Sequence, residues 1–136
     1  MRFLLATLTA TLFSMNMAAG AGAQVPVNEN SHIINQLLAG FIGDKIRRTC
    51  PSISARWLVV LRKKSELEDY ARAQGYDEDE VKAFLRSDAE KAKMDKRRDD
   101  YLASHGVVPG DVESYCALGR AEIASNSPIG QLLWSR

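Results

Sequence analysis

The sequence predicts an all-α fold, a small bundle of four to five helices stapled by one disulfide. Three observations carry that prediction. Apolar residues recur at three- and four-residue spacing along most of the chain, no run keeps a sustained two-residue alternation, and there are two cysteines, Cys50 and Cys116. The composition agrees: 136 residues, 46% hydrophobic and 26% charged, with Lys+Arg 18 against Asp+Glu 17. Those proportions exclude a disordered, collagenous or multi-span membrane protein. The near-zero balance argues against a nucleic-acid partner, because a phosphate backbone demands net positive charge.

The first 23 residues read as a cleaved secretory signal. Met1 and Arg2 supply a positive start, Phe3 to Ala19 carries no ionisable group, and Ala21, Gly22 and Ala23 offer the small side chains that a signal peptidase reads. The competing reading is a membrane anchor. Thr7, Thr9, Thr11, Ser14 and Asn16 dilute its apolar stretch, and no stop-transfer charges follow. Cleavage is expected after Ala23, leaving a periplasmic protein with no integral membrane span. Arg2 is the only ionisable side chain removed, so the remaining cations balance the 17 acidic residues. Residues 24–30 then form a polar lead-in, and 31–136 a single helical domain.

Asn30 or Ser31 caps a first helix whose apolar residues Ile33, Ile34, Leu37, Leu38, Phe41, Ile42 and Ile46 trace one face. Gly40 and Gly43 weaken this helix, an arrangement that fits close approach by another helix. Arg47 and Arg48 suit its C-terminal dipole, and Pro51 ends it. A second helix is expected from Ser52 to Gln74, carrying Ile53, Trp57, Val60, Leu61, Leu67 and Ala71 and stopping at Gly75. Ser65 with Glu68 is a potential internal cap, so one long helix and two short ones both fit. Asp77 with Glu80 caps a third, which runs to Tyr101 and Leu102 with an optional restart at Ser87 and Glu90. Pro109-Gly110 is a turn, Asp111 caps a fourth helix carrying Val112, Tyr115, Cys116, Leu118 and Ile123, and Ser127-Pro128 opens a last short apolar helix or tail.

Export places Cys50 and Cys116 where disulfides persist, and pairing them with each other closes a loop of 66 residues. The chain-entropy effect of such a loop is on the order of 4 kcal/mol. Free thiols, or a metal site with His32 and His105, are the alternatives. Neither has spacing in its favour, since there is no Cys-x-x-Cys and no His-x-x-x-His.

No phosphate-binding glycine loop, Gly-x-Ser-x-Gly elbow or His-Glu-x-x-His is present, so no catalytic residue, metal or cofactor is assigned. His105 stands before Gly106 at a helix end and reads as a carbonyl-capping or solvent-facing side chain. The cations of Arg62 to Lys64 and of Lys91 to Arg98 alternate with carboxylates, the pattern of a solvated face. Trp57, at helical spacing, reads as core. Two groupings remain. Leu132, Leu133 and Trp134 form a terminal apolar cluster that must dock on the domain or meet a partner. Arg56, Arg120 and Glu122, on helices near the expected disulfide, make a structural bridge or a small anion pocket.

Four stretches carry a family resemblance: Cys50-Pro51-Ser52-Ile53-Ser54-Ala55-Arg56, Leu67-Glu68-Asp69-Tyr70, Val107-Val108-Pro109-Gly110-Asp111, and Ser114-Tyr115-Cys116-x-Leu118-Gly119-Arg120-Ala121-Glu122-Ile123. With these the chain resembles, over nearly all its mature length, a family of small exported bacterial proteins classed as a domain of unknown function. The resemblance supports export and the disulfide and transfers no catalytic residue. It also implies an accessory or assembly role beside the proton-pumping NADH:quinone oxidoreductase, among whose genes members of the family can lie.

The function expected is therefore that of a non-catalytic periplasmic binding or accessory protein whose partner is an unidentified envelope protein. A periplasmic chaperone active under acid stress is the alternative. A small helical enzyme acting on an anionic substrate through Arg56, Arg120 and Glu122 is the third reading.

Overall fold

The computed structural model describes residues 24–136. The expected signal peptide and its cleavage after Ala23 lie outside the described residues. Five α-helices are present among those described: α1 Ser31–Thr49, α2 Trp57–Ala73, α3 Glu78–Arg86, α4 Asp88–Ser104 and α5 Val112–Ser125. Two three-residue strands, β1 Ile53–Ala55 and β2 Leu133–Ser135, add a small ribbon to an otherwise all-α fold.

Side-chain caps set the helix starts. Asn30 accepts from the Ile33 amide, Asp77 from Asp79, Ser87 from Glu90 and Asp111 from Glu113, each satisfying a donor that the first turn leaves free. Ser87 thereby divides the expected third helix into α3 and α4. The Ser65–Glu68 cap is not used, and α2 runs on through it.

The second helix starts later than its spacing predicts. Ser52 to Ala55 are not helical, because β1 pairs antiparallel with β2 in the register Ile53 with Ser135, Ser54 with Trp134 and Ala55 with Leu133. The Arg56 amide extends the ribbon to the Leu132 carbonyl at 2.8 Å, and the Arg136 amide reaches the Ser52 carbonyl at 2.9 Å. The chain end is accordingly a 3-10 turn over Gly130–Leu132 followed by a strand, rather than a terminal α-helix.

The main core gathers Ile42 and Ile46 of α1, Ile53 of β1, Leu102 of α4, Leu118 of α5, and Ile129 and Leu133 of the returning tail. The Cys50–Cys116 disulfide crosses its centre, with Cα atoms 5.1 Å apart, tying the end of α1 to α5. Gly119 permits the close contact here: a Cβ at that position would overlap the Ile53 side chain and come within 2.8 Å of Ile46 Cγ2. The tail is able to return because α5 ends in the left-handed conformation at Asn126, φ 51°, which asparagine tolerates. Gly130 then lies against the Glu122 carbonyl, with no room for a side chain.

A second, smaller cluster lies apart from this core, where Val27, Ile33, Ala71 and Tyr76 meet Val81 and Phe84 of α3. It holds the C-terminal end of α2. Tyr76 ties it to the lead-in by donating to the Val25 carbonyl at 2.6 Å.

Candidate binding site

The residues singled out in the sequence fall in different places. Cys50 and Cys116 are joined and buried. Within the terminal apolar cluster, Leu133 is a core residue, Leu132 is half-buried and Trp134 is 47% exposed. Arg56, Arg120 and Glu122 do not assemble into an anion pocket. Arg56 is exposed and donates to the Gln131 carbonyl at 3.4 Å, and Arg120 is exposed and paired with Glu113. Glu122, two residues on from Arg120, lies on the other side of α5 and is 6% exposed. Its carboxylate is satisfied by hydroxyls, accepting from Tyr101 Oη at 2.5 Å and from Ser127 Oγ. Burial, reinforced by the neighbouring Glu122, pushes the Tyr101 phenol up to about 12. The group is a structural network that fastens α4 and the tail turn to α5.

The two histidines act locally. His105 Nδ1 lies 2.8 Å from the Tyr101 carbonyl at the end of α4, and the His32 ring packs 4.2 Å from Tyr70. Among the described residues there is no grouping of three or more His, Cys, Asp or Glu side chains able to hold a metal ion.

Spacing alone does not reveal a groove between α1 and α2 of about 610 Å³, within the range of small-molecule sites. Its existence follows from how α2 is held. Of the 17 residues in α2 only Ala71 is buried, so the helix is anchored at its start by the ribbon and at its end by the smaller cluster, with its middle standing off α1. The floor is apolar, formed by Leu37, Gly40 and Phe41 of α1, Val60 and Leu67 of α2, and Leu132. Cations stand along it: Lys45 and Arg48 from α1, Lys63 and Lys64 from α2, and Arg98 from α4, against a single carboxylate, Asp44.

The carboxylates that neutralise these cations stand mostly outside the groove. Lys63 meets Glu66 at 3.0 Å, Lys64 meets Glu68, and Arg98 meets Asp95 at 2.6 Å and Asp99 at 2.9 Å. Only Arg48 pairs with a groove residue, Asp44, at 2.7 Å. Such solvent-facing pairs contribute roughly 0–1 kcal/mol each and exchange readily for another anion. Lys45 has no carboxylate partner among the described residues and lies 6.0 Å from the centre of the Tyr115 ring. The hydrogen bond to Asp99, opposed by partial burial, raises the Arg98 pKa and keeps it cationic.

The outer side of α2 is apolar in its first turns. Trp57 is 58% exposed, Leu58 85% and Leu61 60%, and spacings of three and four residues make them neighbours on one face. Trp57 is thus surface rather than core. The strand before it has taken the buried position, and its ring is covered on one side by the Arg47 guanidinium at 4.9 Å.

Residues 25–134 match the model of a family of unknown function, DUF5333. The chain belongs to that family. The match spans both cysteines, the groove and all but the last two residues of the tail. No curated protein and no solved structure matches the chain. The groove of this family member presents an apolar floor bordered by cations.

Proposed function

We propose that the protein is a non-catalytic binding or accessory protein of the cell envelope, exported to the periplasm by its N-terminal segment. The observation that carries this reading is α2, a helix with one buried residue in 17 that presents Trp57, Leu58 and Leu61 to solvent. Water disfavours an apolar face of this kind, which is typical of a surface that another molecule covers. Trp134, opposite Ser54 in the ribbon, is a further exposed aromatic residue. The partner proposed is an envelope protein, and the NADH:quinone oxidoreductase is the assembly that the family resemblance implies.

The test is affinity capture from envelope extracts with the intact protein and with Leu58→Asp/Leu61→Asp and Trp134→Ala variants. A chain cut at Pro128 is unsuitable, because it would lose Leu133 from the core and the whole of β2. The reading expects a defined partner with the intact protein and loss of that partner with the variants at unchanged unfolding midpoint. Equal recovery by all three proteins rejects it.

An acid-stress chaperone is the second reading. It is favoured by the exposed apolar residues Trp57, Leu58 and Leu61, which stand beside the cations Arg62 to Lys64 on the same helix and could meet an unfolded client. Suppression of client aggregation that is present at pH 3 and absent at pH 7 would select it over the accessory role.

A further inference from the structure

We propose that the α1–α2 groove binds one long-chain fatty acid as its carboxylate, with the alkyl chain on the apolar floor and the head among the lysines. This inference concerns the inner side of α2 and stands independently of a protein partner on the outer side.

Shape is the first argument. The α1 residues that line the groove run from Gln36 to Arg48, and at about 1.5 Å per residue they span about 18 Å. An extended alkyl chain advances about 1.3 Å per carbon, the projection of a C–C bond of about 1.5 Å, so about 14 carbons cover the same length. The floor offers such a chain continuous apolar contact through Leu37, Phe41, Val60, Leu67 and Leu132.

Gly40 supplies the second argument. Glycine in a helix interior costs roughly 1 kcal/mol relative to alanine and usually marks a place where something approaches the backbone. At Gly119 that something is Ile53 and Ile46, at Gly130 it is the Glu122 carbonyl, and at Gly43 it is ordinary contact with Leu133 and Ile129. A Cβ at Gly40 would meet nothing within 4 Å. No described residue fills the space that this glycine leaves open, and Gly40 lines the groove there.

Charge is the third. Five cations against one carboxylate line the groove, and most of their partners lie outside it on exposed positions. A carboxylate head can take over Lys63, Lys64 or Lys45 without leaving a buried charge behind. A cationic head would meet like charges.

The test is isothermal titration of the purified protein with sodium hexadecanoate below its critical micelle concentration. The expected result is saturable one-to-one binding, no binding of acetate, and binding of hexadecyltrimethylammonium weaker by about tenfold or more. Gly40→Leu puts an apolar side chain where a Cβ would meet nothing within 4 Å, at the floor of the groove. Displacing two methylenes of the ligand lowers affinity by about tenfold, while the unfolding midpoint should stay the same or rise. Lys63→Gln/Lys64→Gln should weaken hexadecanoate and narrow its advantage over the cationic amphiphile. The proposal is overturned if hexadecanoate does not saturate, if both head charges bind equally, or if folded Gly40→Leu binds as tightly as the wild type. Capture of a protein partner through Leu58 and Leu61 should be unaffected by Gly40→Leu, so failure of one idea is distinguishable from failure of the other.

Discussion

Helix α1 has two working faces, and the molecule treats them differently. Ile42 and Ile46 point to the α5 side, where the disulfide, the β-ribbon and the tail close around them and both are fully buried. Leu37, Gly40 and Phe41 point to the α2 side, where the neighbouring helix stands away and leaves the groove. Glycine marks both contacts with opposite meaning. Gly119 is required because Ile53 and Ile46 occupy the place of its side chain, whereas Gly40 faces open space. The first face is what a small domain needs in order to fold, and the second costs stability without any return visible within the chain. A feature that a marginally stable protein keeps at a cost is a reasonable place to look for function.

The largest effect that tests this contrast is on the stapled face. Replacing Cys50 and Cys116 together by alanine should lower unfolding stability by about 4 kcal/mol, from loss of the 66-residue cross-link, as read by urea unfolding. A loss below about 1 kcal/mol would mean that the core on this side closes without the staple.

The two glycines sharpen the comparison, because the same substitution should change sign between faces. Gly119→Ala forces Ile53 and Ile46 to move and should destabilise by roughly 1–3 kcal/mol. Gly40→Ala meets nothing and should stabilise by about 1 kcal/mol through helix propensity alone. Equal destabilisation by both would show that the α2 face is packed as tightly as the other.

A smaller effect concerns Tyr101, whose phenol the stapled side holds up to about 12. A folded value above the usual unfolded tyrosine value of about 10 favours the protonated form. Its stabilisation is therefore complete below about pH 10 and lost as pH rises through about 12. The 295 nm absorbance difference between wild type and Tyr101→Phe should show one phenol ionising near pH 12. A difference titration centred near pH 10 would mean that burial and Glu122 do not act on it.

The stapled face was largely legible in the sequence and the open face was not. Caps are local, so Asn30, Asp77, Ser87 and Asp111 announce their helices within four residues. Cysteine pairing is legible because only two are present. The ribbon escapes notice because three residues are too few to show an alternation, and Ile53 finds its partner Ser135 only through the tertiary fold. Once Ile53 to Ala55 are extended, α2 begins at Trp57, and the residue that reads as core stands at the surface. Arg120 and Glu122 read as site partners because both lie on a helix near the expected disulfide, yet a two-residue step on a helix sends them to opposite sides. The groove depends on how far α2 stands from α1, which no local pattern encodes. Its traces in sequence are a mid-helix glycine, Gly40, which reads as a site of close helix approach and instead meets nothing within 4 Å, and the Arg62 to Lys64 run that interrupts the apolar spacing of α2.

The central claim is that α2 is a loosely held helix, fixed at its two ends, on a stapled core. Native-state hydrogen exchange of the intact protein resolved by helix tests it most directly. Amides in the middle of α2, Val60 to Leu67, should exchange through local opening at a free energy well below that of the global transition. Amides of α1 around Ile42 to Ile46 and of α5 around Tyr115 to Gly119 should exchange only on global unfolding. Protection in the middle of α2 equal to that of α5 would contradict the account.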